Sequence, residues 1–230
     1  MEKWFANPAA ATLLVVSNLI PLAGVLLWDW DVVSIVMLYW SENVILGGYT
    51  LIKMIARAPI GGWFAGVFFV VHYGGFCGVH GMLVLALSGH DVGDVMGGDP
   101  WPLWFVFVQI LYNVCVEVVA LAPAQWWVAF TALALSHGVS LVSNYFLGGE
   151  YRNTDIPQLM RAPYKRIVVL HLAIIFGGWG VMAAGSPLPL LVMLVLLKVG
   201  MDLFLHQREH RARVPEQTTA LHGAAKPGLA

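Results

Sequence analysis

Near the end of the chain, in LLKVGMDLFLH, Lys198, Asp202 and His206 follow one another at four-residue steps. On a helix that spacing stacks an amine, a carboxylate and an imidazole along one face. Comparable groups recur inside other apolar stretches: Glu42 and Asn43 in YWSEN, His72 and His80 in VVHYGGFCGVHG, His137 and Asn144 in LSHGVSLVSNY, and His171 in RIVVLHLAII. Ionisable side chains at membrane depth are costly and mark pathways or sites more often than surface ones do. One such histidine alone reads as a hydrogen bond between helices. Five histidines on several segments, with Glu42, Asp202 and Lys198 among them, read as a site. Neutral imidazole with carboxylate suits Zn, Fe, Mn or Cu, and a catalytic centre keeps a position open for water or substrate. The expected ligands are His72, His137, His171 and His206, with His80 as the competitor of His72. Glu42, Lys198 and Asp202 are the expected catalytic groups, and Lys198 also suits a buried ion pair with Glu42 or Asp202.

These residues need long apolar helices to carry them. The chain of 230 residues is 59% hydrophobic and 11% charged, less than half the charge of an ordinary soluble domain. Seven apolar segments can be marked by window length, roughly 10–28, 32–54, 62–87, 101–122, 124–147, 166–184 and 187–207. The expected fold is therefore all-α, a polytopic integral membrane bundle of six to seven transmembrane segments. Residues 1–207 form one transmembrane domain and 208–230 a disordered cytoplasmic tail. The first segment lacks a cleavage pattern and reads as a retained span, not a signal peptide. Cys77 and Cys115 both lie in apolar runs, which argues against a disulfide framework. A net charge of −1 gives no reason to expect a nucleic-acid partner. Membrane lipids are the expected partners, with a homo-oligomer possible.

Charge sets the expected orientation. If the N-terminus, the 55–61 and 148–166 loops and the tail share a side, every basic residue except Lys198 falls there, while Asp29, Asp31, Asp91, Asp94 and Asp99 fall opposite. The positive-inside rule makes the basic side, including the C-terminus, cytoplasmic at the inner membrane. That arrangement needs an even number of crossings. Segment 101–122 is the candidate to fall short, as interfacial or re-entrant, because Gln109, Asn113 and Glu117 form one polar stripe. His72 then shares a leaflet with His171, Asp202, His206 and Asn144, and His80 lies nearer the outside. With seven crossings the two histidines exchange places. Glu42, His137 and Lys198 form a central layer either way. Gly74, Gly75, Gly78 and Gly81 read as packing residues that let helices approach closely.

The ordered set LYWSENVILGG, HYGGFCGVHG, LSHGVSLVSNY, GEYR, APYKRIVVLHLAIIFGG and LLKVGMDLFLH resembles a bacterial multi-pass membrane family known only as a domain of unknown function. The resemblance covers about residues 35–210 and implies a shared multi-helix fold. It points to Glu42, Asn43, His72, His80, His137, Asn144, Tyr151, Arg152, His171, Lys198, Asp202 and His206, and it implies no activity. Asn43, Asn144, Tyr151, Arg152 and Arg166 are the candidates to hold a substrate or lipid headgroup. The first functional expectation is a metal-dependent intramembrane enzyme, a hydrolase or oxidoreductase acting on a lipid or apolar substrate. A proton- or metal-ion transporter or channel is the alternative, and a b-type haem protein the second alternative.

Overall fold

The computed structural model describes residues 21–27, 29–93, 95 and 97–201. By its internal contacts the chain forms two units, one of residues 31–194 and one of residues 1–30 with 195–230. Asp202, His206 and the 208–230 tail lie outside the described residues, as does most of the first apolar segment.

The smaller unit contributes helix α1, described over 21–27, and the end of the last helix, with Lys198. Within it the Trp30 amide donates to Gly24 O at 3.1 Å. The Trp30 ring lies so close over Gly24 that a side chain there would collide with it.

The larger unit is built from helices, with no strand among the described residues. Helix α2, Val32–Arg57, starts where the Asp31 carboxylate accepts from the Val33 and Ser34 amides, the second at 2.9 Å. Helix α3, Pro59–Leu87, follows after one residue, with proline in its first turn. Beyond it come α4 (Val106–Leu121), α5 (Ala124–Ser140), a π-helical continuation at Leu141–Leu147, and the short α6 (Glu150–Asn153). Helices α7 (Ile156–Arg161) and α8 (Tyr164–Ala184) are followed by a shorter apolar helix, α9 (Leu188–Met201), which runs on into the smaller unit. Among the described residues, five stretches are long and apolar enough to cross a membrane: Val32–Arg57, Pro59–Leu87, Leu103–Leu121, Ala124–Leu147 and Ile156–Ala184. The all-α membrane bundle expected from the sequence is the observed fold.

Helix directions follow from which residues meet. Helices α2 and α3 are antiparallel: Trp40 Nε1 donates to Cys77 O at 2.8 Å, and Tyr73 OH donates to Asn43 O at 3.0 Å. Helix α5 runs alongside α2 in the same direction, with Tyr49 OH donating to Ala134 O and Tyr145 OH to Lys53 O. Helices α7 and α8 run with α3. Ile156 meets Gly61, Tyr164 meets His72, His171 meets His80, and Leu87 meets Gly178.

Helix α4 differs. It too runs with α3: a Cβ on Gly75 would lie 2.9 Å from Phe107, one on Gly78 2.8 Å from the Leu111 amide, and one on Gly81 2.5 Å from Val114. Helix α4 therefore begins beside the middle of α3. At about 1.5 Å per residue, its last residue, Leu121, draws level with the end of α3. The connecting limb 88–102 must travel back down beside it. The hairpin enters the bundle to about half depth and leaves by the same end. The polar stripe that marked this segment in the sequence serves the returning limb. Gln109 Oε1 accepts from the Trp101 amide at 2.7 Å, Gln109 Nε2 donates to Asp99 O at 3.0 Å, and Asn113 Nδ2 donates to Val95 O at 2.8 Å. Irregular backbone at this depth survives only when its polar groups are answered from within the protein.

The small residues of α3 make this packing possible, as expected. A side chain on Gly78 or Gly81 would occupy the space of α4. The sixth span starts earlier than the sequence reading placed it, at Ile156 and not 166. Arg161, Lys165 and Arg166 interrupt the apolar window, and the reading took them for a loop. Residues of His171's helix therefore sit about one leaflet deeper along α3 than expected.

Candidate functional site

Two polar clusters lie inside the larger unit. The first centres on Glu42 of α2, whose side chain is 11% exposed. Arg166 Nη1 of α8 donates to Glu42 Oε1, and His137 Nε2 of α5 lies 3.4 Å from the same oxygen. Three helices thus meet at one carboxylate. The neighbouring Asn43 is buried and donates from Nδ2 to Tyr39 O at 3.1 Å, leaving Oδ1 without a partner among the described residues. Its backbone carbonyl receives the Tyr73 hydroxyl. Arg166 was expected in a loop holding headgroups. The structure carries it into the bundle, on the first turn of α8 within the apolar stretch Ile156–Ala184, with a buried carboxylate opposite.

The second cluster pairs α3 with α8. His80 is buried, and its Nδ1 lies 2.6 Å from Phe76 O. A carbonyl only accepts, so Nδ1 carries the hydrogen. With the ring neutral, His80 Nε2 is then an acceptor, and His171 Nδ1 donates to it across 2.9 Å. One backbone carbonyl so sets both tautomers and leaves the lone pair of His171 on Nε2. His72 does not take part. It lies eight residues before His80, about 12 Å along the helix axis, where its Nδ1 is hydrogen-bonded to Tyr164 OH at 2.7 Å. The leaflet assignment drawn from the sequence is corrected here: His171 meets His80, not His72, because the span leading to His171 is longer than its apolar core suggested.

His72, His80 and His171 all line one cavity of about 970 Å³. Its floor is the outward stripe of α3, through Phe64, Phe68, Phe76 and Leu83, and its side includes Trp104 and Phe107 from the half-depth hairpin. Every other lining group is apolar. Such a volume is near the top of the range, about 300–1,000 Å³, in which proteins enclose small molecules.

The remaining candidates are scattered. Asn144 lies in the π-helical stretch, where its Nδ2 donates to Ser140 Oγ at 3.1 Å. Tyr151 and Arg152 pair with each other, Arg152 Nε donating to Tyr151 OH at 3.1 Å. Lys198 belongs to the smaller unit, and Asp202 and His206 lie outside the described residues. No three His, Cys, Asp or Glu side chains are grouped as metal ligands among the described residues. The sequence reading missed Tyr164 and the Phe76 carbonyl. No composition rule flags a backbone acceptor, and Tyr164 was assigned to the loop.

A bundle of apolar helices with a half-depth hairpin and a buried histidine has the length and composition of an integral-membrane architecture. The chain belongs to a family of unknown function, DUF6498, whose model matches residues 2–219. Neither a curated protein nor a solved structure matches it.

Proposed function

We propose that this protein is an intramembrane enzyme acting on a lipid or other apolar substrate, with His171 as its general base. The observation that carries this is the His80–His171 pair opening on an apolar cavity. Polar groups that converge in an otherwise apolar pocket are the usual signature of a ligand site. Proton transfer needs an acceptor with a free lone pair within reach of the substrate, and His171 Nε2 supplies it. His80 positions that acceptor: anchored on Phe76 O, it holds the His171 ring and shares the charge when His171 is protonated. Hydrolysis, with His171 drawing a proton from water, is the simplest reaction of this kind.

The metal-dependent form takes Zn, Fe, Mn or Cu at His171 Nε2. His80 then serves as the outer hydrogen-bond partner that ligating imidazoles usually have. The basic end of the larger unit, with Lys53, Arg57, Arg152 and Arg161, is assigned to the cytoplasm of an inner membrane by the positive-inside rule.

The test is incubation of protein in nanodiscs with a total membrane-lipid extract, read by mass spectrometry. Time-dependent new lipid species that vanish with His171→Ala support the proposal. Equal turnover by that variant overturns it. Elemental analysis of the same preparation separates the forms: absence of stoichiometric metal after mild purification rules out the metal-dependent one. A Soret band there would favour a b-type haem instead.

A second function is favoured by the Glu42 cluster. A buried carboxylate shared by Arg166 and His137 is the kind of group that carries protons through transporters. Proton or metal-ion flux in proteoliposomes that is unaffected by both Glu42→Ala and His137→Ala counts against it.

A further inference from the structure

The groove is not walled by long helices alone. Apart from α3 and His171, its described lining comes from Trp104 and Phe107, at the turn of the half-depth hairpin and on the first turn of α4. Phe107 is wedged against Gly75, which fixes the base of that wall. Trp104 is not wedged: it is 69% exposed, between Leu103 at 85% and Phe105 at 50%.

The turn's position depends on few contacts. The limb before it is irregular, and its polar backbone groups at Val95, Asp99 and Trp101 are held by the side chains of Gln109 and Asn113. At the turn itself Leu103 has φ of +56°, in the left-handed region that an L-residue with a side chain adopts only under constraint. The wall is thus a short strained turn suspended from two amide side chains. Phe105 shares the turn yet does not line the groove, which makes it a natural control.

We infer that the half-depth hairpin is the adjustable wall of the groove and that Trp104 is its specificity-determining residue, setting how bulky a lipid tail can lie against His80 and His171. This rests on the proposal that the groove holds the substrate. The indole is the one large side chain that faces the cavity from the turn, so removing it widens the groove without touching the histidine pair. Gln109 acts at one remove, by holding the turn in place.

Two fluorescent fatty acids test this with protein in detergent: slim cis-parinaric acid and bulky pyrene-dodecanoic acid, each displaced by unlabelled oleic acid. Trp104→Ala is expected to shift the affinity ratio toward the pyrene probe by about tenfold, the size of effect that small changes of pocket shape produce. Phe105→Ala is expected to leave the ratio unchanged, and Gln109→Leu to shift it in the same direction as Trp104→Ala. An unchanged ratio in Trp104→Ala, an equal shift in Phe105→Ala, or failure of both probes to bind the wild type overturns the inference. The failures separate cleanly. If His171→Ala abolishes lipid turnover while Trp104→Ala keeps the wild-type ratio, the enzyme proposal stands and the wall does not. If His171→Ala turns over normally while Trp104→Ala shifts the ratio, the wall stands and His171 is not the base.

Discussion

The two polar clusters of the larger unit use the same kinds of residue to opposite ends. Around Glu42, a carboxylate on α2 meets the Arg166 guanidinium of α8, with the His137 ring of α5 beside them. At His80 and His171 no formal charge is needed; the order of donors is set by one carbonyl, and the last lone pair is left on a residue that lines a cavity. A compensated charge cluster is closed, and its value is in which helices it joins. A neutral, directional pair with one free end is open, and its value is in what it can accept. Breaking the first is expected to cost stability and breaking the second to cost turnover, so the contrast can be tested one cluster at a time.

The largest expected effect is on the open pair. His171→Ala is predicted to lower lipid turnover by about 10²–10⁴-fold, the usual contribution of a positioned general base. Its unfolding midpoint in detergent should stay near wild type, since the His171 side chain is exposed along the groove. Loss of activity together with loss of the fold would erase the distinction between the clusters.

Next in size is the closed cluster. Arg166→Leu leaves Glu42 as a charge without its guanidinium, and removing one partner of a buried pair costs about 3–5 kcal/mol. The Arg166 side chain is 34% exposed, which argues for the low end. The double variant Glu42→Leu with Arg166→Leu should regain most of that loss, because an apolar pair of similar volume often matches a buried ion pair. Chemical denaturation of the single and double variants checks both statements. A double variant no more stable than the single one would show that the carboxylate does more than answer the arginine.

The hairpin comes after the two clusters in expected effect. Gly81→Leu would drive a side chain into Val114 and the Trp40 ring, and overpacking of this sort costs about 1–3 kcal/mol. Because the collision displaces α4, the variant should also disturb probe binding in the groove. Gly48→Leu, where a side chain meets open space, is the matched control with little effect.

What could be read in the sequence divides along a physical line. Apolar length reported the spans of α2, α3 and α5 closely, and the Gln109–Asn113 stripe singled out the segment whose side chains hold the irregular limb before it. Those features depend on local pattern alone. Arg161, Lys165 and Arg166 hid the true start of the sixth span, because hydropathy counts a cation as an end whether or not a carboxylate waits for it in the bundle. From that one displacement followed the wrong neighbour for His171 and the wrong surroundings for Arg166. The tautomer order depends on Phe76 O, a backbone atom that no residue-type pattern can announce. Pairings between helices are long-range facts, and only the assembled bundle states them.

The smallest predicted effect is also the one that most directly opposes the depth reading from the sequence. His72 stacks with Phe68 at 5.2 Å between ring centroids and is hydrogen-bonded through Nδ1 to Tyr164 OH. His72→Phe keeps a ring of similar shape between Phe68 and Phe76 and removes only the nitrogen. Interhelical hydrogen bonds in membrane bundles are worth about 0.6 kcal/mol on average and at most about 1.7, so the expected loss of stability is under about 1 kcal/mol. Turnover should change little, since His72 lies about 12 Å along α3 from His80. His80→Phe should behave differently: it removes the acceptor for His171 Nδ1, frees the His171 ring to rotate, and is expected to impair turnover while His72→Phe does not. Side-by-side turnover and denaturation curves for the two variants measure this. If His72→Phe is the inactive one and His80→Phe retains activity, the working base lies at His72 and Tyr164, lower in the same groove.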